Sequence, residues 1–223
     1  MQNFTTVKSA KTKNSDIDLE EIIKIKQNSN KLFASKPMAT FHEFYLTGRI
    51  EEADQYIAVF DMIRHATSED VVKIYVNSPG GDLFTALQFG RAMGDSDATI
   101  IVSVEGQCCS AATIIALAAD MVELSNHCVW MCHNYSSGTF GKGGEMYDQM
   151  SFERAWSEGL FRDVYDGFLT DKEINAMLDG RDIWLAADAV MTRLEQRHNK
   201  MKRKAKKTMQ EIKMTQMKEQ DDD

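Results

Sequence analysis

Residues 71–120 read VVKIYVNSPGGDLFTALQFGRAMGDSDATIIVSVEGQCCSAATIIALAAD, and one pattern occurs in them twice. VVKIYV (71–76) is a β-branched run that ends at the turn NSPGG (77–81). DLFTALQFGRAM (82–93) then reads as a helix, with Asp82 as a first-turn anion facing the positive end of the helix dipole. TIIVSVEG (99–106) is the next strand and SAATIIALAAD (110–120) the next helix. Strands alternating with helices predict a layered α/β fold with mainly parallel strands. Both glycine turns, SPGGD (78–82) and EGQCCS (105–110), then lie at carboxyl ends of neighbouring strands, where such sheets present their sites. Free N–H groups at the following helix N-termini suit an anionic oxygen, the requirement of an oxyanion hole.

Working outward, Phe44–Leu46 reads as a short strand closed by Thr47-Gly48. The segment 51–65 has the apolar spacing of an amphipathic helix at Ile57, Phe60 and Ile63. CVWMCH (128–133) reads as a further strand. Residues 144–179 read as helical with a break near Gly167 and a fresh start at Leu169–Glu173. Residues 1–36 are polar and are expected to be a flexible extension with a short helix over 16–27. The folded domain is expected over 37–197, followed by a charged tail over 198–223, either a solvated helix or disordered.

The 223 residues are 43% apolar and 27% charged, enough for one ordinary core. Residues 198–223 hold eight Lys/Arg against five Asp/Glu, which leaves 18 basic and 29 acidic residues, net −11, in the first 197. An acidic body argues against nucleic acid as the main partner. No run of 18 apolar residues is present, so no membrane span is expected. The N-terminal stretch lacks the apolar core of a secretory signal. Cysteines at 108, 109, 128 and 132 do not resemble a disulfide framework, and a reduced, cytoplasmic setting is expected.

Within EGQCCSAAT (105–113), Cys108, Cys109 and Ser110 are three adjacent candidate nucleophiles. Ser110 also suits an ordinary helix N-cap, and the two cysteines suit small buried hydrophobes, with a nucleophilic Cys109 as the sharper alternative. GTFGKGG (138–144) lacks the glycine spacing and the Ser/Thr of a phosphate loop, so nucleotide binding is unsupported. His127, Cys128, Cys132 and His133 invite a zinc reading. On a strand, however, the two histidines lie ~20 Å apart and on the face opposite the cysteines, so no metal site is expected.

YVNSPGGD, EGQCCSAAT, VWMCHN and GRDIWLAADAV, in this order, resemble the motifs of the Clp protease proteolytic subunit, a serine peptidase family, over about residues 43–190. The family pattern runs roughly INSPGG, GQAAS-M-G, MIHQP and RDxFLSAxEA. The resemblance implies a crotonase-like layered α/β fold of repeated β-β-α units with a protruding handle helix over 144–166. It implies Ser110 as nucleophile, His133 as general base and Asp182 as the carboxylate that orients the imidazole. It also implies an oxyanion hole from the Gly81 and Ala111 N–H groups, and substrate contacts at Gly80, Asp82, Leu83, Ser136 and Ser137. No cofactor is implied.

The implied partners are further copies of the chain in stacked heptameric rings, a polypeptide substrate and a separate AAA+ unfoldase. A dedicated processing protease, as in virus assembly, shares this triad and differs in partner. A crotonase-fold acyl-CoA enzyme does not require the triad, and a silent ring subunit is expected to have lost part of it. After the last motif the family continues with a glycine-containing turn and a short strand, whereas AVMTRLEQRHNKMKRK (189–204) prefers helix.

Overall fold

A computed structural model describes residues 5–8 and 39–221. In chain order the elements are β1 (Thr5–Lys8), β2 (Phe41–Thr47), a 3-10 turn (Ala53–Tyr56), α1 (Ile57–His65), β3 (Val71–Ser78), α2 (Leu83–Asp95), β4 (Thr99–Cys109), α3 (Ala111–Ala118), β5 (Met121–Leu124), β6 (Val129–Cys132), α4 (Gly143–Val164), α5 (Asp171–Leu178), β7 (Ile183–Ala186) and α6 (Ala187–Asp221). The sheet runs β1-β5-β4-β3-β2. Strands β2, β3, β4 and β5 are parallel, and β1 pairs antiparallel with β5.

Alternation explains the packing. Val72, Ile74, Val76 and Ser78 of β3 point into the core with no exposed surface. Each of the three aliphatic side chains contributes about 1.5–3 kcal/mol by burial. Residues Ala86, Phe89, Ala92 and Met93, at helical spacing, give α2 its buried face. Seven of the eight residues of α3 are buried, so this helix lies inside the domain. The opposite face of β3 is polar and aromatic. Tyr75 stacks on Tyr45 with ring centroids 4.7 Å apart. The Tyr75 hydroxyl donates to Glu43 at 2.7 Å, a bond to a carboxylate that pushes the phenol up to about 12.

β4 is the organising strand, because its two halves have different neighbours. Ile101–Val104 pair with β5, whereas Gln107–Cys109 pair in parallel with β6. Strand β6 then pairs antiparallel with β7. Between the halves, the β3–β4 register shifts from Val76↔Val104 to Ser78↔Cys108. Asn77 fills this bulge, its side-chain oxygen accepting from the Gln107 N–H at 3.1 Å. A Cβ on Gly106 would lie 2.6 Å from that same oxygen, so a side chain there would displace Asn77 from the bulge.

Several expectations are revised. The 51–65 helix is a 3-10 turn followed by α1, and Asp82 is the N-cap of α2, accepting from the Thr85 N–H at 2.7 Å. The strand expected at Phe44–Leu46 extends over Phe41–Thr47. Of the extension at 1–36, Thr5–Lys8 form β1, and the helix expected at 16–27 lies outside the described residues. The C-terminal segment is helical, and α6 crosses residue 198 without a break.

Helix α6 also ties down the joint between α4 and α5. Arg193 donates to both carboxylate oxygens of Glu173, at 2.7 and 2.9 Å, and to the Phe168 carbonyl at 3.1 Å. Arg197 donates to the Val164 and Asp166 carbonyls at 2.6 and 2.9 Å, and Lys200 pairs with Asp166 at 2.6 Å. The guanidinium beside Glu173 holds that carboxyl down to about 2.

Candidate active site

The two glycine turns touch. A Cβ on Gly80 would lie 2.5 Å from the Ser110 Cβ and 2.7 Å from the Cys109 carbonyl oxygen. With φ at +96°, Gly80 also holds a conformation that side chains rarely adopt. Gly81 forms an isolated parallel bridge with Ile50, and a Cβ on it would strike the Ile50 carbonyl. The bonds of this bridge are Ile50 N–H to the Gly80 carbonyl and Asp82 N–H to the Ile50 carbonyl, each 2.9 Å. In a parallel ladder the central residue's own N–H then points away from the neighbouring strand. The Gly81 N–H is therefore directed away from Ile50 and donates to no partner among the described residues. Ala111 opens α3, and as a first-turn N–H it has no intrahelical acceptor.

Ser110 links β4 to α3. Its backbone is at φ 56°, ψ −129°, and it is the one non-glycine residue with positive φ among the described residues. Such a conformation costs about 1–3 kcal/mol and persists only where the surroundings impose it. Here the Ser110 N–H donates to the Met131 carbonyl at 2.8 Å, and the Ser110 carbonyl accepts from the Thr113 N–H at 2.9 Å and hydroxyl at 2.7 Å. The Thr113 hydroxyl in turn meets the buried Tyr165 hydroxyl at 2.7 Å. The side chain of Ser110 does not cap α3. Its Oγ lies 2.6 Å from His133 Nε2.

The strand register explains this meeting. β6 runs beside the end of β4, with Cys109 opposite Met131, so the residues just beyond each strand emerge together. Along β6, Cys128, Trp130 and Cys132 are buried, and His133 leaves the strand on the other side, where it lines the cleft.

Asp182 occupies the next place in the β6–β7 ladder. The antiparallel register ends at Cys132↔Ile183, and one further step sets His133 opposite Asp182. Directly opposed residues share a face, with Cβ atoms about 4.5–5.5 Å apart in a regular pair. Asp182 is nevertheless exposed, and no hydrogen bond joins it to His133. The structure thus joins Ser110 to His133 and leaves Asp182 beside them, unbonded.

A cavity of about 750 Å³ opens over these groups. Gly80, Gly81, Asp82, Leu83, Ser110, Ala111, His133, Ser136 and Ser137 all line it. Its apolar wall includes Ile114, Met131, Phe152 and a stacked pair, Phe84 on α2 and Trp156 on α4, with ring centroids 5.7 Å apart. Ser137 is held by Glu153, to which it donates at 2.8 Å. Sequence reasoning did not anticipate Trp156 or Asn77. The sequence signal for Trp156 is one large aromatic among several along α4, with Tyr147, Phe152 and Phe161.

The two cysteines before Ser110 are buried, Cys109 with 4% exposure, and burial pushes both thiols up, away from the thiolate. Among the described residues no helix is long and apolar enough to cross a membrane.

A search of the curated proteins finds no match. The model of one family, Clp protease, matches residues 45–192, a span from the middle of β2 into α6 that holds both glycine turns, Ser110, His133 and Asp182. That span is well over half of the chain, and the chain belongs to the Clp protease family of peptidases.

Proposed function

We propose that the chain is a serine endopeptidase that hydrolyses unfolded polypeptides or peptides through Ser110, His133 and Asp182. The observation that carries this reading is the 2.6 Å contact between Ser110 Oγ and His133 Nε2, made by a serine that forgoes its capping role in a strained backbone conformation. A serine hydroxyl is a weak nucleophile until a neighbouring base takes its proton. Ser110 Oγ attacks the scissile carbonyl carbon while its proton passes to His133 Nε2. The carbonyl electron pair moves to oxygen, and the resulting oxyanion accepts from the Gly81 and Ala111 N–H groups. The C–N bond then breaks and the leaving amine takes the proton from Nε2. A water molecule, deprotonated by the same imidazole, releases the acyl group as a carboxylic acid and restores Ser110.

Asp182 acts in this scheme by rotating onto His133 Nδ1, fixing the tautomer and stabilising the imidazolium. The β6–β7 register supports this assignment by setting the two residues opposite one another. Gly80, Asp82, Leu83, Ser136 and Ser137 flank an extended substrate, whose backbone pairs with the segments on either side of the cleft. The apolar wall of Phe84, Phe152 and Trp156 favours large apolar side chains at the scissile residue. Family membership supports a homo-oligomeric ring of stacked heptamers, α4 as the handle between rings, a separate AAA+ unfoldase that feeds folded substrates, and a cytoplasmic setting. No cofactor takes part.

A fluorophosphonate probe followed by peptide mapping tests the assignment. The expected adduct is on Ser110, and it disappears after prior denaturation. An adduct on Cys109, or none on a folded and assembled sample, overturns the serine mechanism.

A further inference from the structure

The face of α6 that packs against the domain does not stop where the domain stops. Val190, fully buried, and Leu194, with 6% exposure, lie on this face, and Arg197 continues it. At the same helical phase follow Met201, Ala205, Met209 and Ile212, three of them exposed and Ala205 half-buried. Lys202 and Lys206 flank this second stretch on one side and Lys204 on the other. None of these three lysines forms an ion pair among the described residues. An apolar stripe bordered by free cations thus extends beyond the body that covers its first half.

We propose that this stretch of α6 docks on an acidic surface of a second copy of the chain, at the 3-10 turn and the start of α1. Charge selects this occupant. Residues 1–197 carry net −11, whereas Lys200–Lys207 hold six cations and no acid. Pairing α6 with the α6 of another copy would bring the flanking lysines together, a like-charge contact that costs stability. The acidic surface matches the stripe in shape as well as sign. Asp54, Ile57 and Asp61 stand three and four residues apart on one exposed face, with Ile57 at 65% exposure, and Glu51 and Glu52 precede them. Among the described residues none of Glu51, Glu52, Asp54 and Asp61 forms an ion pair with a lysine or arginine, and Asp61 pairs with His65. An exposed aliphatic side chain between two carboxylates is the complement of Met201 and Ala205 between lysines. This contact is separate from the peptidase chemistry and holds whichever residue proves to be the nucleophile.

The test uses the full chain and reads mass and labelling separately. Equal amounts of chain labelled with light and heavy nitrogen are mixed, treated with a carbodiimide that joins lysine to carboxylate, and mapped by mass spectrometry. Mixed-isotope links between Lys202, Lys204 or Lys206 and Glu51, Glu52, Asp54 or Asp61 are expected. Reversing the lysines (K202E/K204E/K206E) should remove these links and lower the mass measured by sedimentation. Reversing the acidic side (D54K/D61K) should do the same, and combining both sets should restore both readings. Overturning results are a wild-type chain that sediments as a monomer, loss with one set of reversals but not the other, or no recovery in the combination. Duplex DNA bound by the wild type and released by K202E/K204E/K206E, without mixed-isotope links, would assign the helix to a polyanion and also overturn the proposal. Fluorophosphonate labelling of Ser110 is recorded on the same samples, so failure of the docking and failure of the peptidase reading are distinguished.

Discussion

The domain makes the same strand-to-helix turn twice, and the two copies are built to different ends. At Ser78–Asp82 every local demand is met. Glycine takes the positive φ, and Asp82 caps α2 by accepting from Thr85. At Cys109–Ala111 the positive φ falls on a serine, and that serine leaves α3 uncapped to reach a histidine. The first turn follows the rules of local stability, while the second breaks two of them at one residue. A departure from local preference, surrounded by bonds that enforce it, is where the proposed nucleophile stands.

Substitution sharpens this contrast, and the largest expected effect is at the second turn. Ser110→Ala should lower peptide hydrolysis by a factor on the order of 10⁶ while leaving circular dichroism and sedimentation unchanged. Retained activity there would break the comparison outright. Next in size is Asp182→Asn, for which turnover should fall by up to roughly 10⁴-fold with the assembly intact. Near-full activity in that variant would show that its place across from His133 has no catalytic consequence.

The first turn serves the second through contact, and Gly80→Ala probes this directly. The added Cβ meets the Ser110 Cβ and the Cys109 carbonyl, so urea titration should show a loss of about 1–3 kcal/mol together with reduced fluorophosphonate labelling. Ser110→Gly should be more stable than Ser110→Ala by about 1–2 kcal/mol, because glycine accepts φ near 56° freely. Equal stabilities would mean that the serine conformation carries no strain. The smallest effect is expected for Asp82→Ala, a lost cap of about 1 kcal/mol by thermal or urea unfolding, with hydrolysis still measurable.

Much of this contrast is legible in the chain. Period-two alternation in VVKIYV and the small-residue run after Ser110 identify β3, β4, α2 and α3, because both patterns reflect burial alone. Four motifs in order point to the family whose model matches residues 45–192. Two short strands escape notice, although the equally short β6 is read from CVWMCH. Met121–Leu124 and Ile183–Ala186 have four residues each, too few for a period, and they become strands by pairing with β4 and β6. Thr5–Lys8 sit in a polar stretch whose composition signals no sheet, and an edge beside β5 supplies the bonds. At the candidate site, residue identity is readable but geometry is not. Serine at an N-cap position is expected to cap, and only the Met131 and Thr113 bonds show why Ser110 turns elsewhere. The exposed position of Asp182 likewise depends on a side-chain rotation that no spacing encodes.

The clamp formed by Arg193, Arg197 and Lys200 has a consequence for the order of events during synthesis. The carbonyls of Val164, Asp166 and Phe168 wait for donors that emerge from the ribosome some thirty residues later. Until those residues arrive, the joint that follows α4 lacks these donors, while Phe161 and Tyr165 at the end of that helix pack in the core and Trp156 stacks on Phe84 without them. A nascent chain therefore carries Ser110 and His133 before the joint between α4 and α5 has its full set of donors.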